Sequence, residues 1–279
     1  MPPPPPITVT GLFIYPVKAL RGLSVTSARV DALGFEGDRR FLIVDPAGRF
    51  LTQRTHPRLA LITAALSPDT LTLSAEGGGA VAVRRAPDPA AARREVSVWS
   101  SGGLIAEDCG APVAAWLSDF LGAACGLVRV GPDYVRPVAK PGKARAGDVV
   151  SFADAYPFLV IGEASLADLN DRLIARGEEA LPMDRFRPNL VVAGGAAFAE
   201  DGWQRFRIGD VAFRAGGPCA RCTVTTVDQR TAVRGVEPLR TLAGYRRDAG
   251  DPTNVNFGQN LIHETKAGVV SVGDRVDLP

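Results

Sequence analysis

The chain has 279 residues, of which 46% are hydrophobic and 22% charged, as is usual for a folded globular protein. Its 32 lysines and arginines nearly balance its 30 aspartates and glutamates, so bulk charge favours neither a nucleic acid polymer nor an anionic membrane as a partner. Four cysteines are too few to staple a chain of this length, and two histidines disfavour a histidine-rich metal site. No apolar run is long enough for a transmembrane helix. We therefore expect a cytoplasmic protein with reduced thiols, not associated with membranes.

The first part of the chain alternates short apolar runs with turns. Residues 1–6 are rich in proline, which lacks an amide N–H, so we expect a flexible extended tail there. Over residues 7–130, closely spaced β-branched and large apolar runs indicate an antiparallel barrel or sandwich. The predicted strands cover residues 9–15, 40–44, 59–66, 71–73, 96–99 and 127–130. A helix is predicted over residues 112–121, with Gly122 as its cap.

Residues 131–279 predict a second set of strands with a few helical segments. A helix is expected to begin at Ser165, where the spacing to Asp168 is typical of a capping box. A short helical turn is predicted over residues 239–245. The predicted strands cover residues 158–161, 190–193, 204–208, 211–214, 223–227, 261–262 and 268–278. The expected fold class is α+β, mainly β, with an N-terminal β-barrel-like domain over 7–130 and a second β-barrel domain over 131–279.

The strongest local motif is a pair of cysteines, Cys219 and Cys222, placed between a predicted Gly-Gly-Pro turn (216–218) and the predicted strand 223–227. A neighbouring guanidinium, that of Arg221, would favour a thiolate, which binds soft metals and acts as a nucleophile or redox group. Structural zinc normally needs four ligands, and thioredoxin-like redox chemistry expects the cysteine pair at the start of a helix, so the sequence around this pair favours neither reading. Two further readings remain open from spacing alone: one thiolate supplied to a preformed cofactor, and two buried inert cysteines.

Cations stand next to three predicted strands. Lys18 follows the first strand, Arg39 precedes another, and Arg187 precedes a third, two residues before Asn189. Arginine forks match phosphate oxygens and lysine supplies a point charge, so the three could converge on a phosphate. Taken one at a time, each is more typical of an ordinary surface charge.

Six short motifs occur in an order that resembles the MOSC family, the molybdenum cofactor sulfurase C-terminal-like proteins. The resemblance is to the branch with an N-terminal β-barrel domain, which includes the mitochondrial amidoxime-reducing component and bacterial proteins that detoxify N-hydroxylated bases. It extends over residues 7–278. The motifs are Tyr15-Pro-Val-Lys18, Asp38-Arg39, the stretch from Phe158 to Asn170, Phe186-Arg-Pro-Asn189, Cys219-Ala-Arg-Cys222-Thr-Val-Thr-Thr-Val-Asp228, and Phe257-Gly-Gln-Asn260.

The resemblance implies a molybdenum–molybdopterin cofactor (Moco) with one protein thiolate ligand. In the family's pattern this ligand, which is also the catalytic residue, falls on Cys222, and Cys219 is its non-ligating neighbour. The family's hydroxyl-bearing positions fall on Ala19 and on Ala155-Tyr156, where this sequence differs. The cofactor-binding positions carried over are Lys18, Arg39, Arg187, Asn189, Ala220, Arg221 and Asn260.

The resemblance further implies an oxidoreductase that reduces the N–O bond of small N-hydroxylated compounds. The sequence holds no Gly-x-Gly-x-x-Gly turn of a nucleotide-binding unit, no haem motif and no ferredoxin cysteine cluster. We therefore expect an external electron-transfer reductase as a partner. The alternative is a protein that binds or carries the molybdenum cofactor, or a sulfur on Cys222, without turnover of its own.

Overall fold

A computed structural model describes residues 5–139 and 142–279. The prediction of a flexible tail over residues 1–6 therefore lies largely outside the described residues. Strands take up 37% of the chain and helices 16%, which confirms a mainly β, α+β fold. Among the residues described, no helix combines the length and apolar character needed to cross a bilayer.

The structure has eighteen strands and three α-helices in its described residues. The helices are α1 (Ala111–Leu121), α2 (Glu163–Ile174) and α3 (Leu239–Leu242). The strands are β1 (Thr8–Ile14), β2 (Leu23–Val25), β3 (Ser27–Asp31), β4 (Gly34–Phe35), β5 (Phe41–Val44), β6 (Thr63–Leu66), β7 (Thr70–Ala75), β8 (Gly79–Arg84), β9 (Arg93–Val98), β10 (Ser101–Asp108), β11 (Gly126–Arg129), β12 (Phe158–Gly162), β13 (Leu190–Ala193), β14 (Arg205–Ile208), β15 (Val211–Ala220), β16 (Asn256–His263), β17 (Val269–Ser271) and β18 (Val276–Asp277).

The largest sheet has eight strands in the order β18-β14-β15-β16-β12-β13-β1-β2. All neighbours are antiparallel except β12 and β13. The sheet curls on itself, because Thr8 at the start of β1 bridges Arg275, which directly precedes β18. The enclosed core includes Phe35, Phe158 and Phe213. Closure satisfies strand edges that would otherwise be open, which is how small barrels avoid edge-to-edge association.

The first strands of the chain pack with the later ones around this same core. β1 pairs with β13 in the eight-stranded sheet, whereas β3 pairs with β17 in a separate three-stranded sheet, β17-β3-β4. The matching register is Leu12 opposite Leu190 and Ala28 opposite Val270. The sequence-predicted boundary between residues 130 and 131 stays a prediction, but the two predicted domains share a sheet and a core.

Residues 41–129 build a second layer from a four-stranded sheet, β5-β11-β10-β9, and a three-stranded sheet, β6-β7-β8. Helix α1 covers this layer with Val113 and Leu117, both fully buried. It confirms the predicted helix, and Gly122 takes the left-handed conformation that ends it (φ 67°). On the outside of the barrel, α2 and α3 pack over a separate cluster containing Phe186 and Phe257.

Three local predictions are wrong. Residues 57–61 form a 3₁₀ helix, so only Thr63–Leu66 of the predicted strand 59–66 is extended. Helix α2 begins at Glu163, two residues before the predicted start. Ser165 then lies inside the helix, and its hydroxyl donates to the buried carboxylate of Glu200 at 2.8 and 2.9 Å instead of capping. The third wrong prediction is the secondary structure around Cys219 and Cys222, in the candidate site.

One of the two histidines is a core residue. His263 in β16 is fully buried against the edge of the Phe158 ring, with centroids 5.1 Å apart, and its Nε2 lies 2.7 Å from the carbonyl of Asp31. Burial lowers its pKa to about 4. The folded protein therefore holds His263 neutral at pH values where the unfolded chain protonates it, near pH 6.5 and below.

We expect this histidine to make folding pH-dependent. Its contribution is present above pH 6.5 and is lost as the pH falls toward 4, so the free energy of unfolding should drop by about 2 kcal/mol between pH 7 and pH 5 on its account. Urea unfolding at both pH values measures this. His263→Gln, which keeps a donor toward Asp31 but does not titrate, should lose that part of the drop. The partly buried His56 provides the matched control, and an equal drop in His263→Gln and His56→Gln would contradict the assignment.

Candidate cofactor site

One cavity of about 130 Å³ brings together all eight residues that the sequence proposed for the cofactor site. It lies where the end of β1, the start of β12, the end of β15 and the middle of β16 approach each other. The family-based roles of these residues stay predictions, but their convergence is a property of the fold. The eight are Lys18, Arg39, Arg187, Asn189, Ala220, Arg221, Cys222 and Asn260.

A buried tyrosine, Tyr15, packs its ring against the guanidiniums of Arg39 and Arg187, and these three residues form the cation platform of the cavity. Tyr15 follows β1, and its hydroxyl donates to the carbonyl of Pro188 at 2.9 Å. The guanidinium carbons of Arg39 and Arg187 lie 4.2 and 4.3 Å from its ring centroid, in cation–π contact. Burial raises the pKa of Tyr15, so the phenol stays neutral. A Cβ at Gly22 would come within 2.5 Å of this ring, which explains why a glycine stands there.

Arg39 is held by side chains on both sides. It donates to Asp38 at 2.6 Å and to the Oδ1 atom of Asn189 at 2.9 Å. Asp38 also accepts from the backbone N–H of Tyr15 at 2.7 Å, and Asn189 donates its own amide to Phe13 O at 3.1 Å. Both polar atoms of the buried Asn189 side chain are thus engaged within the protein. The structure makes Asn189 a residue that orients Arg39.

Arg187 is the least neutralised cation of the platform. Its guanidinium donates to the carbonyl of Leu20 at 2.6 Å, and no carboxylate within the described residues forms an ion pair with it. Burial lowers its pKa to about 10, so it remains protonated at neutral pH. The residue takes a left-handed backbone conformation (φ 59°) at the end of the 3₁₀ helix Met183–Phe186, which is unfavourable for a side chain larger than glycine.

Lys18 pairs with a carboxylate that the sequence did not single out. Its ammonium forms an ion pair with Asp154, and the indole N–H of Trp99 donates to the same Asp154 oxygen at 2.9 Å. Burial lowers the pKa of Lys18, an effect that Asp154 counteracts. Desolvation disfavours the charged form of Asp154, but Lys18 and Trp99 outweigh it and hold the carboxyl pKa well below its usual range. Asp154 is therefore ionised, and its side chain is 68% exposed.

The cysteine pair lies in a segment whose predicted secondary structure is wrong. The Gly-Gly-Pro stretch 216–218 is part of β15, with irregular register on either side, instead of a turn. Residues Thr223–Thr226 form a 3₁₀ helix instead of a strand. The hydroxyls of Thr225 and Thr226 donate to the carbonyls of Cys222 and Thr223 at 2.9 and 2.8 Å, which offers the backbone a local alternative to pairing. Cys222 thus stands where the strand ends and the helical turn begins.

The two thiols have different surroundings. Arg221 donates to the sulfur of Cys219 at 3.0 Å and to the carbonyl of Phe186 at 2.6 Å. Burial nevertheless raises the pKa of Cys219, despite this guanidinium. No hydrogen bond reaches the sulfur of Cys222 from the residues that the structure describes, and this thiol faces the cavity. Arg221, expected from sequence to activate the pair, acts on Cys219.

Asn260 and Ala220 complete the cavity wall. Asn260 stands on β16 opposite Gly217 of β15 and donates to the carbonyl of Pro218 at 3.1 Å. Ala220, the last residue of β15, is exposed and pairs across with Asn256. Asn260 therefore supports the strand that leads to the cysteines.

Sequence reasoning assigned no role to Asp154, Trp99, Tyr15 or Tyr156. The signal available for Tyr156 was its place at one of the family's hydroxyl positions. Its phenol donates to the carbonyl of Gly216 at 2.7 Å, and a Cβ at Gly216 would lie 2.5 Å from its ring. Nothing in the local sequence pattern relates Trp99 to Asp154, because 55 residues separate them.

The cavity suits an anionic group that arrives with most of its own metal ligands. Four cations line it against one carboxylate, Asp154, so its formal charge is +3. The buried Nε of Arg221 has no hydrogen-bond partner in the described structure. Within residues 5–139 and 142–279, no cluster of three or more His, Cys, Asp or Glu side chains could hold a metal ion. A thiol beside several lysine and arginine side chains, which are the usual partners of phosphate in proteins, fits a phosphate-bearing dithiolene cofactor better than it fits a bare ion.

These surroundings predict how the four thiols react with an alkylating agent. Burial raises the pKa of Cys109, to about 12, and of Cys125 and Cys219, which lowers their thiolate fractions at pH 8. We expect iodoacetamide to modify Cys222 at least several-fold faster than any other cysteine of the cofactor-free protein. Peptide mass spectrometry over time measures the four rates. The same labelling in urea is the control, where the differences should disappear, and faster labelling of Cys219 would contradict the prediction.

Comparison with known proteins agrees with this architecture. Residues 7–124 match the MOSC N-terminal beta barrel domain, and residues 147–277 match the MOSC domain. The chain is 38% identical over 287 residues to mitochondrial amidoxime-reducing component 1 of Mus musculus and 37% identical over 290 residues to that of Homo sapiens, covering 97% of this chain and 82% of each relative.

A longer protein also contains a matching region. The molybdenum cofactor sulfurase of Danio rerio is 34% identical over 290 residues, which cover 96% of this chain but 34% of that protein. The YUAD protein of Bacillus subtilis, a solved structure, aligns with a TM-score of 0.42 and 12% identity over 97% of this chain and 93% of that one. On the identity to the amidoxime-reducing components and the two domain matches, the chain belongs to the MOSC family, in the branch with an N-terminal β-barrel domain.

Proposed function

We propose that this protein reduces the N–O bond of N-hydroxylated compounds with a molybdenum cofactor bound in the cation-lined cavity. The observation that carries the proposal is the cavity itself, which unites four cations with the thiol of Cys222. The similarity to proteins named amidoxime-reducing components supports the activity class. When bound, the cofactor would supply a two-electron redox centre with Lewis acidity.

The residues of the chain would bind and orient that cofactor. Arg187, free of a carboxylate partner in the described structure, would take the phosphate, with Arg39 beside it over the same tyrosine ring. Asn189 and Asp38 would hold Arg39 in place. Cys222 would be the single protein ligand to molybdenum, and Arg221 would orient Cys219 and the strand that carries both.

The reaction needs two electrons and two protons. An N-hydroxylated compound R₂N–OH is then converted into R₂N–H and water, with cleavage of the N–O bond. We propose that a separate reductase delivers the electrons, and that the protein acts in the cytoplasm. Asp154 is ionised at neutral pH, so it would act there as a hydrogen-bond acceptor and not as the proton donor.

The central test is removal of each thiol in turn. Cys222→Ala should lose bound molybdenum and with it the reduction of benzamidoxime by an artificial electron donor. Cys219→Ala, the matched control three residues away, should keep most of both. Metal analysis and product quantification on protein made in cofactor-competent cells give the two readouts. Equal molybdenum content in Cys222→Ala and wild type would overturn the ligand assignment.

The cation platform gives a second prediction. A charge-assisted hydrogen bond contributes about 1.5–3 kcal/mol, so Arg187→Ala should weaken cofactor retention roughly tenfold or more. Arg187→Lys keeps the charge but loses the fork, and should fall between that variant and wild type. Arg176→Ala removes an exposed arginine just past α2 and should have no effect. Molybdenum content after dialysis, compared at matched thermal stability, measures retention, and similar loss from Arg176→Ala and Arg187→Ala would contradict the clamp.

A carrier of the cofactor or of sulfur remains the second candidate, supported by the similarity to the molybdenum cofactor sulfurase of Danio rerio. A turnover assay and a cofactor-transfer assay on the same purified protein distinguish the two functions. Purified protein that turns over benzamidoxime with added electron-transfer proteins is an enzyme. Protein that only restores activity to a cofactor-free molybdenum enzyme is a carrier.

A further inference from the structure

A second cavity adjoins the cofactor cavity and reaches the same cysteine. It has a volume of about 300 Å³, in the range of small-molecule sites. Four residues line both cavities: Asp154, Ala155, Ala220 and Cys222. Cys222 therefore stands at the junction, with the cationic cavity on one side and the larger cavity on the other.

The far wall of the second cavity comes from the N-terminal layer. Trp99 sits in the tight connection between β9 and β10, in a left-handed conformation (φ 54°), and is 43% exposed. The edge-on ring of Phe50, at 4.8 Å, and the guanidinium of Arg54, 4.4 Å from the indole centroid, hold the indole in place. The left-handed backbone at Trp99 is an outlier of the kind that occurs at functional sites, and the fixed indole presents an aromatic surface to the cavity.

The carboxylate at the junction has one oxygen to spare. The Oδ1 atom of Asp154 accepts from Lys18 and Trp99, whereas Oδ2 receives no hydrogen bond from the described residues. Hydrogen bonds hold the loop that carries it, because the buried Arg136 donates to the carbonyls of Ser151 and Asp154 at 3.0 and 2.7 Å. A fixed, ionised carboxylate beside an aromatic wall recognises a flat group rich in N–H donors.

We propose that this second cavity is the substrate subsite, in which Asp154 accepts N–H groups of a planar amidine-like substrate and Trp99 packs against its carbon framework. The proposal rests on the proposed function, because Cys222 would place the reaction centre at the mouth of this cavity. It assigns Asp154 and Trp99 to substrate selection. The Asp154 carboxylate would repel anionic compounds of the same shape, and the guanidinium of Arg136 is already occupied by backbone carbonyls. Arg54, 4.4 Å from the indole centroid, keeps its positive charge, so this selection depends on direct contact of the ligand with Asp154.

Binding without turnover tests the subsite separately from catalysis. Benzamidine, which has the flat amidinium but no N–O bond, and benzoate, which has the same shape with the opposite charge, are the two probes. Equilibrium dialysis against cofactor-loaded protein should show saturable benzamidine binding at least tenfold tighter than benzoate binding. Asp154→Asn should abolish that preference. Asp277→Asn is the matched control, because that carboxylate is 61% exposed and also pairs with a cation, Arg275.

Substitutions at Trp99 and Ser100 test the subsite without removing the ion pair between Lys18 and Asp154. Trp99→Ala should weaken benzamidine binding several-fold, and Ser100→Trp, which fills the cavity from its lining, should abolish it. Trp116→Phe, on α1, should leave binding unchanged. In the turnover assay, Trp99→Ala should raise KM for benzamidoxime more than it lowers kcat, with unchanged molybdenum content.

The outcomes separate this inference from the proposed function. Benzamidine binding that is unaffected by Trp99→Ala and Ser100→Trp would overturn the subsite, even if Cys222 proves to be the metal ligand. Loss of binding in these variants, with metal retained, supports the subsite whichever electron donor the protein uses. If Asp154→Asn loses metal because its contact with Lys18 changes, benzamidine binding by Trp99→Ala and Ser100→Trp decides whether the subsite exists.

Discussion

The pairing of β1 with β13 is the constraint on which the site depends. The strands are antiparallel, with Leu12 opposite Leu190, so the end of β1 lies beside the residues that precede β13. The chain leaving β1 carries Tyr15, and the chain entering β13 carries Arg187 and Asn189. Side chains more than 170 residues apart in sequence are thereby placed in contact. A one-residue slip of this register would turn each side chain to the opposite face of the sheet.

The cavity concentrates positive charge, which is unfavourable unless something offsets it. Two of its cations are neutralised within the protein, Arg39 by Asp38 and Lys18 by Asp154. Arg187 and Arg221 form no ion pair within the described residues. Such a distribution leaves a preorganised anion site, because the folded structure has already met the cost of bringing like charges together. It also explains the tyrosine platform, since an aromatic face stabilises guanidiniums without cancelling their charge.

The division into two cavities around Cys222 is a second consequence of the architecture. The barrel contributes the cations, whereas the N-terminal layer contributes Trp99 across the opening. The shared wall includes Asp154, whose loop is tied to the rest of the protein by Arg136. Two cavities that meet at Cys222 are the basis of the proposal that one binds the cofactor and the other the substrate.

The sequence by itself determined most strands, the helix predicted at 112–121, the mainly β class and the identity of eight cavity residues, because hydrophobic periodicity and short family motifs are local properties. It failed at 216–218 and 223–227, where bulged pairing with β16 and threonine hydroxyls override residue preference. Only the tertiary structure decided that Arg221 serves Cys219, or that Asp154 joins Lys18 and Trp99. The two contacts of Asp154 link residues 136 and 55 positions apart, so their geometry is set by how the strands close into a barrel and by no local pattern.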